Sequence, residues 1–193
     1  MYSALILSTI EEYVHLDEKD IEFFESILIS RLFKRGEMIV KSGEAARYLV
    51  FVNDGYLMTY FTDKDGVDHV LHFAATGWWC GDVYSLSSNQ TTIYATKGLT
   101  DGEVLLLPRS AQDQLFEKHP VFDKYFRIFF QNSIIRQQLR FVENYTDTAE
   151  ERYESFKIRY PNMEQYVPQK HIASYLGITP EFLSKIRKRA SVK

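Results

Sequence analysis

The sequence contains little cysteine, no long apolar run and no large excess of charge. Its 193 residues include one cysteine, Cys80, so the chain alone can form neither an internal disulfide framework nor a four-cysteine iron–sulfur or zinc site. No apolar run approaches the roughly 20 residues that cross a bilayer. Residues 1–10 lack the basic start of a secretory signal. We therefore expect a protein of the reducing cytoplasm that contacts no membrane.

Motifs of common enzyme active sites are also missing. The chain contains no G-x-S-x-G, Walker A or Rossmann fingerprint. His69 and His72 are the only histidines close in sequence, and an odd spacing on a strand puts them on opposite faces. A cupin-like metal enzyme, which needs His-x-His followed by Glu, is therefore the weakest alternative. Cys80 has no basic neighbour and is predicted to be buried. We predict no enzyme, no catalytic residue and no metal ligand.

The charge of the chain is unevenly distributed. The formal net charge is −3, which taken alone argues against a nucleic-acid binder. Residues 168–193 carry six Lys and Arg against one Glu, a net +5, which leaves −8 on residues 1–167. A basic end on an acidic body suits phosphate binding, because the distribution of charge matters more than its sum.

Two patterns follow each other in the first 108 residues. Residues 11–32 place apolar side chains at helical spacing and are predicted to form a helix. Residues 33–108 contain short β-branched and aromatic runs separated by Asp-Gly turns, which supply the positive φ that a tight hairpin needs. We predict an α+β protein with a double-stranded, jelly-roll-like β-roll flanked by helices. The predicted strands include residues 48–52, 56–61, 69–73 and 104–107.

A long helix is predicted to follow the roll. Ser110 and Asp113 resemble a capping pair for a first helix. Pro120 then begins an amphipathic stretch to about Asn144, roughly 36 Å long at 1.5 Å per residue. Its apolar positions are too numerous for one seam, so we expect it to pack on the roll and on a second copy of itself. A helix internal to a monomer is the alternative.

The sharpest signal lies near the end of the chain. Thr148 and Glu151 have the spacing of a capping box, which predicts a helix after a short hinge. Further on, Gly177 suits the left-handed end of one short helix, and Thr179 with Pro180 suits the start of the next. Two short helices joined by a glycine-containing turn predict a helix-turn-helix. Together with the local charge of +5, this pattern predicts binding to double-stranded DNA.

The second helix of this motif would place its first residues at base edges and its flanks at phosphates. Glu181 is predicted to accept a hydrogen bond from cytosine N4, and Lys185 to donate to guanine. Arg187 is predicted to follow the DNA backbone. The predicted DNA-binding residues are Gln169, Lys170, Thr179, Pro180, Glu181, Ser184, Lys185, Arg187 and Lys188.

A dimeric sensor or adaptor that acts through protein contacts is the alternative from another class. Its terminal helices would be expected to show an exposed aromatic anchor. Basic residues dominate the presumed outer face here, which favours DNA.

The order of these parts resembles the CRP/FNR superfamily of bacterial transcription regulators. The resemblance implies a homodimer with a cyclic-nucleotide-type sensor roll over residues 1–119, a dimerisation helix over residues 120–145 and a DNA-binding helix-turn-helix domain over residues 146–193. It also implies a palindromic operator, with RNA polymerase as a further candidate partner. An effector in the roll would change the separation of the two recognition helices. The resemblance is carried by residues 172–187 (IASYLGITPEFLSKIR) and, in the roll, by residues 36–37, 43–44, 55, 66, 77 and 81–82.

The effector pocket that the resemblance implies departs from the family pattern. Gly81-Asp82 matches the family's Gly-Glu, but Thr92 and Ile93 stand where the family has Arg-Ser. A buried phosphate without a cation is costly, so neither cyclic AMP nor cyclic GMP is expected. The single cysteine likewise excludes the iron–sulfur branch. We expect an unknown small-molecule effector and no certain cofactor. The residues expected at the pocket are Gly81, Asp82, Val83, Tyr84, Thr92, Ile93, Gln137 and Gln138.

Overall fold

Two antiparallel sheets form the roll. The structure is a computed structural model that describes residues 3–88 and 90–190. The sheets have the strand orders β1-β8-β3-β6 and β2-β7-β4-β5. The strands are β1 (Ile29–Phe33), β2 (Met38–Val40), β3 (Tyr48–Asp54), β4 (Tyr56–Thr62), β5 (Asp68–Ala75), β6 (Trp79–Cys80), β7 (Ala95–Gly98) and β8 (Gly102–Pro108).

Helices precede, interrupt and follow the roll. None of the described helices is long and apolar enough to cross a bilayer. The helices are α1 (Ala4–Glu11), α2 (Glu18–Ile27), α3 (Val83–Ser88), α4 (Arg109–Lys118), α5 (Pro120–Thr146), α6 (Ala149–Arg159), α7 (Gln169–Leu176) and α8 (Pro180–Ala190), with a 3-10 turn at Met163–Gln165.

Three apolar layers hold these elements together. Alternate residues of β3 divide between two of them: Val50 and Val52 pack between the sheets, whereas Leu49 and Phe51 pack against the flanking helices. The third layer lies between the sheet that contains β4 and β5 and the C-terminal helices α6, α7 and α8. Each sheet therefore has an apolar layer on both faces, although the edge strand β1 is largely exposed, and the C-terminal helices share a core with the roll.

The predicted hairpins and the long helix are confirmed, and two short helices, α7 and α8, lie where the helix-turn-helix was predicted. The chain forms β3, β4, β5 and β8 where strands were predicted, and α5 begins at Pro120 and ends two residues beyond Asn144. Thr148 makes the expected capping box with Glu151. Cys80 is buried, and burial raises the pKa of its thiol to about 12, which makes it a poor nucleophile.

Two local predictions are wrong. Residues 11–32 do not form one helix, because the Asp17 side chain caps a new helix by accepting a hydrogen bond from Asp20 N at 2.8 Å. Residues 29–33 then pair with β8. Ser110 and Asp113 do not cap α4 either. Strand β8 runs directly into this helix, Pro108 occupies the capping position, and the Asp113 carboxylate accepts a hydrogen bond from Arg109 instead.

Candidate functional site

The turn between α7 and α8 has the geometry that its sequence predicts. Gly177 is left-handed, with φ 68° and ψ 33°, and Ile178 N donates to Ala173 O at 3.0 Å. The Thr179 hydroxyl then accepts a hydrogen bond from Phe182 N at 3.2 Å and so caps α8. These bonds fix the angle at which α8 leaves α7.

The inner face of α8 is fully packed. Leu183 is 0% exposed and Ile186 is 3% exposed, and both belong to the apolar layer that contains Ile172 and Ala173 of α7. Because the two helices share this layer, α7 and α8 pack as one unit, and Glu181, Lys185 and Lys188 of α8 face outward.

The outer face of α8 carries most of the charged side chains of this helix. Glu181, Lys185 and Lys188 are exposed, and Ser184 is half-buried among them. The backbone amide of Glu181 and then the Thr179 hydroxyl lower the pKa of the Glu181 carboxyl by hydrogen bonding, so the group is ionised at neutral pH.

Two arginines of α8 have internal partners. The Arg187 guanidinium lies 3.7 Å from the Glu164 carboxylate, and that of Arg189 lies 3.4 Å from Glu150. Among the described cations of α8, Lys185 and Lys188 therefore stand further from protein carboxylates and suit an external anion better. Arg187 stays a predicted DNA contact. Lys193 lies outside the described residues.

The other predicted phosphate contacts lie at the start of each helix. Gln169 and Lys170 occupy the first turn of α7, where Lys170 is exposed and Gln169 is half-buried. Thr179 and Pro180 are exposed at the start of α8. The first turns of both helices, where backbone N–H groups attract anions, are thus available on the surface.

A set of side chains that the sequence did not indicate joins this unit to the roll. Ser174 of α7 donates to Asp68 O at 3.1 Å and accepts from Val70 N at 3.0 Å, so it pairs with the free edge of β5. Arg140 of α5 donates to Leu71 O and to Tyr175 O, and its guanidinium lies 4.0 Å from the centre of the Tyr175 ring. These contacts set the position of α7 relative to the roll and to α5.

The long helix changes character along its length. Phe122, Tyr125 and Phe126 are buried against the roll and the N-terminal helices. In the second half, six large apolar side chains are more than half exposed. They fall within about 160° of the helix circumference at 100° per residue, with Gln138 inside the same stripe. These six are Ile134, Ile135, Leu139, Phe141, Val142 and Tyr145, hereafter the apolar stripe of α5.

The residues expected at the effector pocket fall into two groups. Asp82 and Thr92 are buried, being 8% and 1% exposed, and Gly81 approaches Leu49 closely. Val83, Tyr84 and Ile93 are 47%, 65% and 65% exposed. Gln137 and Gln138 are exposed on α5.

Asp82 and Thr92 lie at one corner of the roll. Ser85 holds this corner, because its hydroxyl accepts from Ala46 N at 2.8 Å and donates to Gln90 O at 2.5 Å. Asp82 Oδ1 accepts from Ser85 N at 3.1 Å, whereas Asp82 Oδ2 is buried and finds no hydrogen-bond partner among the described residues. An unpaired carboxylate oxygen at this depth can accept a hydrogen bond from a ligand.

The cation nearest to this corner in sequence points elsewhere. The Lys97 ammonium lies 4.6 Å from the centre of the Tyr60 ring, and its charge helps to lower the pKa of His171 on α7. Lys97 therefore faces the C-terminal helices. A separate cavity of about 200 Å³ lies between α3, α4 and α5, and of the expected pocket residues Val83 lines it.

The histidine pair His69 and His72 belongs to no metal site among the described residues. His69 Nε2 lies 2.6 Å from Asp63 and stacks on Phe61. No group of three or more His, Cys, Asp or Glu among the described residues could hold a metal ion. Trp79 fills the core and donates from Nε1 to the Tyr125 hydroxyl at 2.9 Å.

Comparison with known proteins finds a family match for the roll and a fold match for the whole chain. Residues 30–119 match the cyclic nucleotide-binding domain family. No curated protein sequence matches the chain. Among solved structures, the c-di-GMP-responsive global regulator CLP of Xanthomonas campestris has a TM-score of 0.72 at 15% identity. The match covers 91% of this chain and 92% of that one.

Two further regulators show the same likeness. A CRP/FNR-family transcriptional regulator from Eubacterium rectale has a TM-score of 0.68 at 17% identity, over 92% of this chain and 84% of that one. FixK2 of Bradyrhizobium japonicum has a TM-score of 0.69 at 19% identity, over 86% and 85%. Residues 30–119 therefore resemble the cyclic nucleotide-binding domain family, and the chain as a whole shares the fold of these solved regulators.

Proposed function

We propose that the chain is a homodimeric transcriptional regulator that binds a palindromic operator in double-stranded DNA. Residues 1–119 form its sensor domain, residues 120–145 its dimerisation helix and residues 146–193 its DNA-binding domain. The observation that carries this proposal is the outer face of α8, where Lys185 and Lys188 project from a rigid, capped helix-turn-helix on an otherwise acidic chain. Such a face supplies both base-reading and phosphate-binding groups.

The predicted roles follow from position on α8. Glu181 and Lys185 lie in its first two turns and contact bases, with Glu181 accepting from cytosine and Lys185 donating to guanine. Pro180 and Ser184 lie beside them. The backbone contacts come from Gln169, Lys170, Thr179, Arg187 and Lys188.

The apolar stripe of α5 supports the dimer. Six large apolar side chains, each more than half exposed within twelve residues, form a patch that a soluble monomer rarely leaves in water. A second copy of α5 would cover both patches at once, since a two-fold axis pairs each surface with itself. Gln138 within this stripe would then lie at the seam, where a polar residue fixes the register of two helices.

The sensor roll takes a small molecule at the corner of Asp82 and Thr92. Asp82 offers a buried acceptor, and Lys97 faces away from the corner. The ligand is therefore one that donates hydrogen bonds and carries no cyclic phosphate. Its binding shifts α5 and the hinge at Asp147 and Thr148, and with them the spacing of the two recognition helices.

The test is salt-titrated binding of the full chain to duplexes selected from a random library. Lys185→Ala should reduce the preference for the selected duplex over a scrambled one by about 5- to 100-fold, the value of one bidentate base contact. Lys188→Ala should weaken both duplexes equally and make the salt slope shallower by about one, because one phosphate is no longer neutralised. Lys19→Ala, an exposed lysine of α2, serves as the matched control.

The proposal fails if the wild type shows no salt-dependent binding to any duplex. The division of roles fails separately if the Lys185 and Lys188 variants behave alike, or if both behave like Lys19→Ala.

A further inference from the structure

One apolar side chain interrupts the charged outer surface of α8. Phe182 is 39% exposed in the first turn of α8, whereas the exposed residues that follow it, Lys185, Lys188 and Arg189, are charged. It precedes Leu183, which is 0% exposed and fills the inner layer. Packing within the chain therefore accounts for Leu183 but leaves much of the Phe182 ring in water.

The Phe182 ring lies next to the charged face of α8. Helical geometry puts Lys185 and Arg189, at i+3 and i+7, on the same side of α8 as Phe182. Phe182 therefore stands at the border between the buried stripe and the cationic face. The Phe182 N–H is already bonded to the Thr179 hydroxyl at 3.2 Å, which holds the backbone of this residue at the entrance of the helix.

We propose that Phe182 is a specificity-determining residue that contacts the 5-methyl group of a thymine in each operator half-site. This inference rests on the proposed DNA-binding function. In the major groove thymine differs from the other bases by this methyl group, and apolar side chains, phenylalanine included, recognise it by contact. The methyl group lies on the side of the base nearest its own backbone, so a residue at the border of the recognition face can reach it.

The charges around Phe182 favour DNA over a protein as the molecule that contacts the ring. An aromatic anchor for a protein partner normally lies at the centre of an apolar patch. Phe182 instead has Glu181 beside it and Lys185 one turn away, both exposed and charged. Lys185 and Arg189, which lie on the same side of α8 as the ring, match a thymine methyl that is bordered by phosphates.

The experiment removes the methyl group and nothing else. Full-length protein is used to select duplexes from a random library, and each thymine of the selected half-site is then replaced by uracil. Binding is measured by fluorescence anisotropy at one fixed salt concentration. Burial of one methyl is worth about four-fold in affinity, so the wild type should lose about four-fold per half-site at one thymine position and about fifteen-fold when both half-sites carry uracil.

Variants identify the side chain responsible. Phe182→Ala should bind the thymine and uracil duplexes equally, and Phe182→Leu should keep part of the preference. Ile158→Ala, which removes an apolar side chain that is 82% exposed on α6, should keep all of it.

The outcomes separate this inference from the function on which it rests. The inference is overturned if no thymine-to-uracil change weakens the wild type, if the selected half-sites contain no thymine, or if Phe182→Ala keeps the full preference. It is also overturned if Phe182→Ala alters transcription without altering thymine preference, which would assign the ring to a protein partner. A protein that binds no duplex refutes the proposed function itself.

Discussion

Acidification should destabilise the fold through one histidine of the hairpin that β4 and β5 form. His72 lies on β5 opposite Thr59, and burial, with a smaller effect from the Arg140 charge, lowers its pKa to about 4 from an ordinary 6.5. The unfolded chain therefore binds this proton more tightly than the folded chain. The stability that neutral His72 provides is complete above pH 6.5 and is lost progressively as the pH falls toward 4.

The size of this effect follows from the difference in pKa. A difference of about 2.5 pH units corresponds to about 3 kcal/mol when the loss is complete, and about 2 kcal/mol is already lost at pH 5. His171, whose pKa is also lowered, first by burial and then by Lys97 and Lys170, adds to the loss in the same direction. Both histidines lie in elements where α7 meets β5, so acid acts on the junction between the roll and the helix-turn-helix.

Urea unfolding at pH 7.5 and at pH 5.0, at one protein concentration, measures this loss. With a slope of about 2 kcal/mol per molar urea, the His72 contribution lowers the midpoint by about 1 M. His72→Gln should remove that part of the pH dependence, whereas His15→Gln, at an exposed position, should keep it. If His72→Gln retained the full wild-type difference between the two pH values, the assignment of the effect to His72 would be refuted.

Two further predictions concern the dimer and the effector. Ile135→Glu combined with Val142→Glu buries four charges across the proposed two-fold interface, so light scattering should report a monomer. The control variant Ile158→Glu on α6 should remain a dimer. A monomeric wild type would contradict the assignment of the apolar stripe to a dimer interface. Calorimetric titration with cyclic AMP or cyclic GMP up to 1 mM should show no binding, because Lys97 faces Tyr60 and the Asp82 side chain offers the corner an acceptor oxygen and not a cation. A micromolar Kd would show that another cation reaches the phosphate.

The helix-turn-helix could be predicted from sequence because its determinants are local. Gly177 and Thr179 lie within three residues of each other, and each acts on the backbone of its own turn. The capping box of Thr148 and Glu151 is equally local. Such signals need no knowledge of distant parts of the chain.

The error in residues 11–32 has a non-local cause. The helical spacing of Ile27 and Leu28 continues into Leu32, but β1 pairs with β8, about seventy residues away, and Leu32 faces solvent at 78% exposure. Pairing with a distant strand overrides local helical preference. The capping role of Asp17 and Asp20 could have been read from their spacing and would have moved the start of the helix to Glu18.

The candidate site also contains some features that the sequence predicts and others that only the fold creates. The outer face of α8 follows from helical periodicity, and the exposure of Phe182 could have been inferred from that periodicity. The contacts of Ser174 and Arg140 could not, because a serine and an arginine at these positions carry no signal until the fold brings β5 beside them. The direction of Lys97 likewise depends on how β7 faces α7.

These unpredicted contacts explain how the roll and α8 can act on each other. Arg140 belongs to the half of α5 that carries the apolar stripe, and it bonds both to Leu71 of the hairpin and to Tyr175 of α7. A displacement of α5 at the proposed dimer interface must therefore either carry α7 with it or break these bonds. Since α7 and α8 share one packed layer through Leu183, α8 moves in the first case and is released from the hairpin in the second. In the proposed dimer, either outcome would change the separation of the two α8 helices, which is the quantity that an operator with fixed half-site spacing would detect.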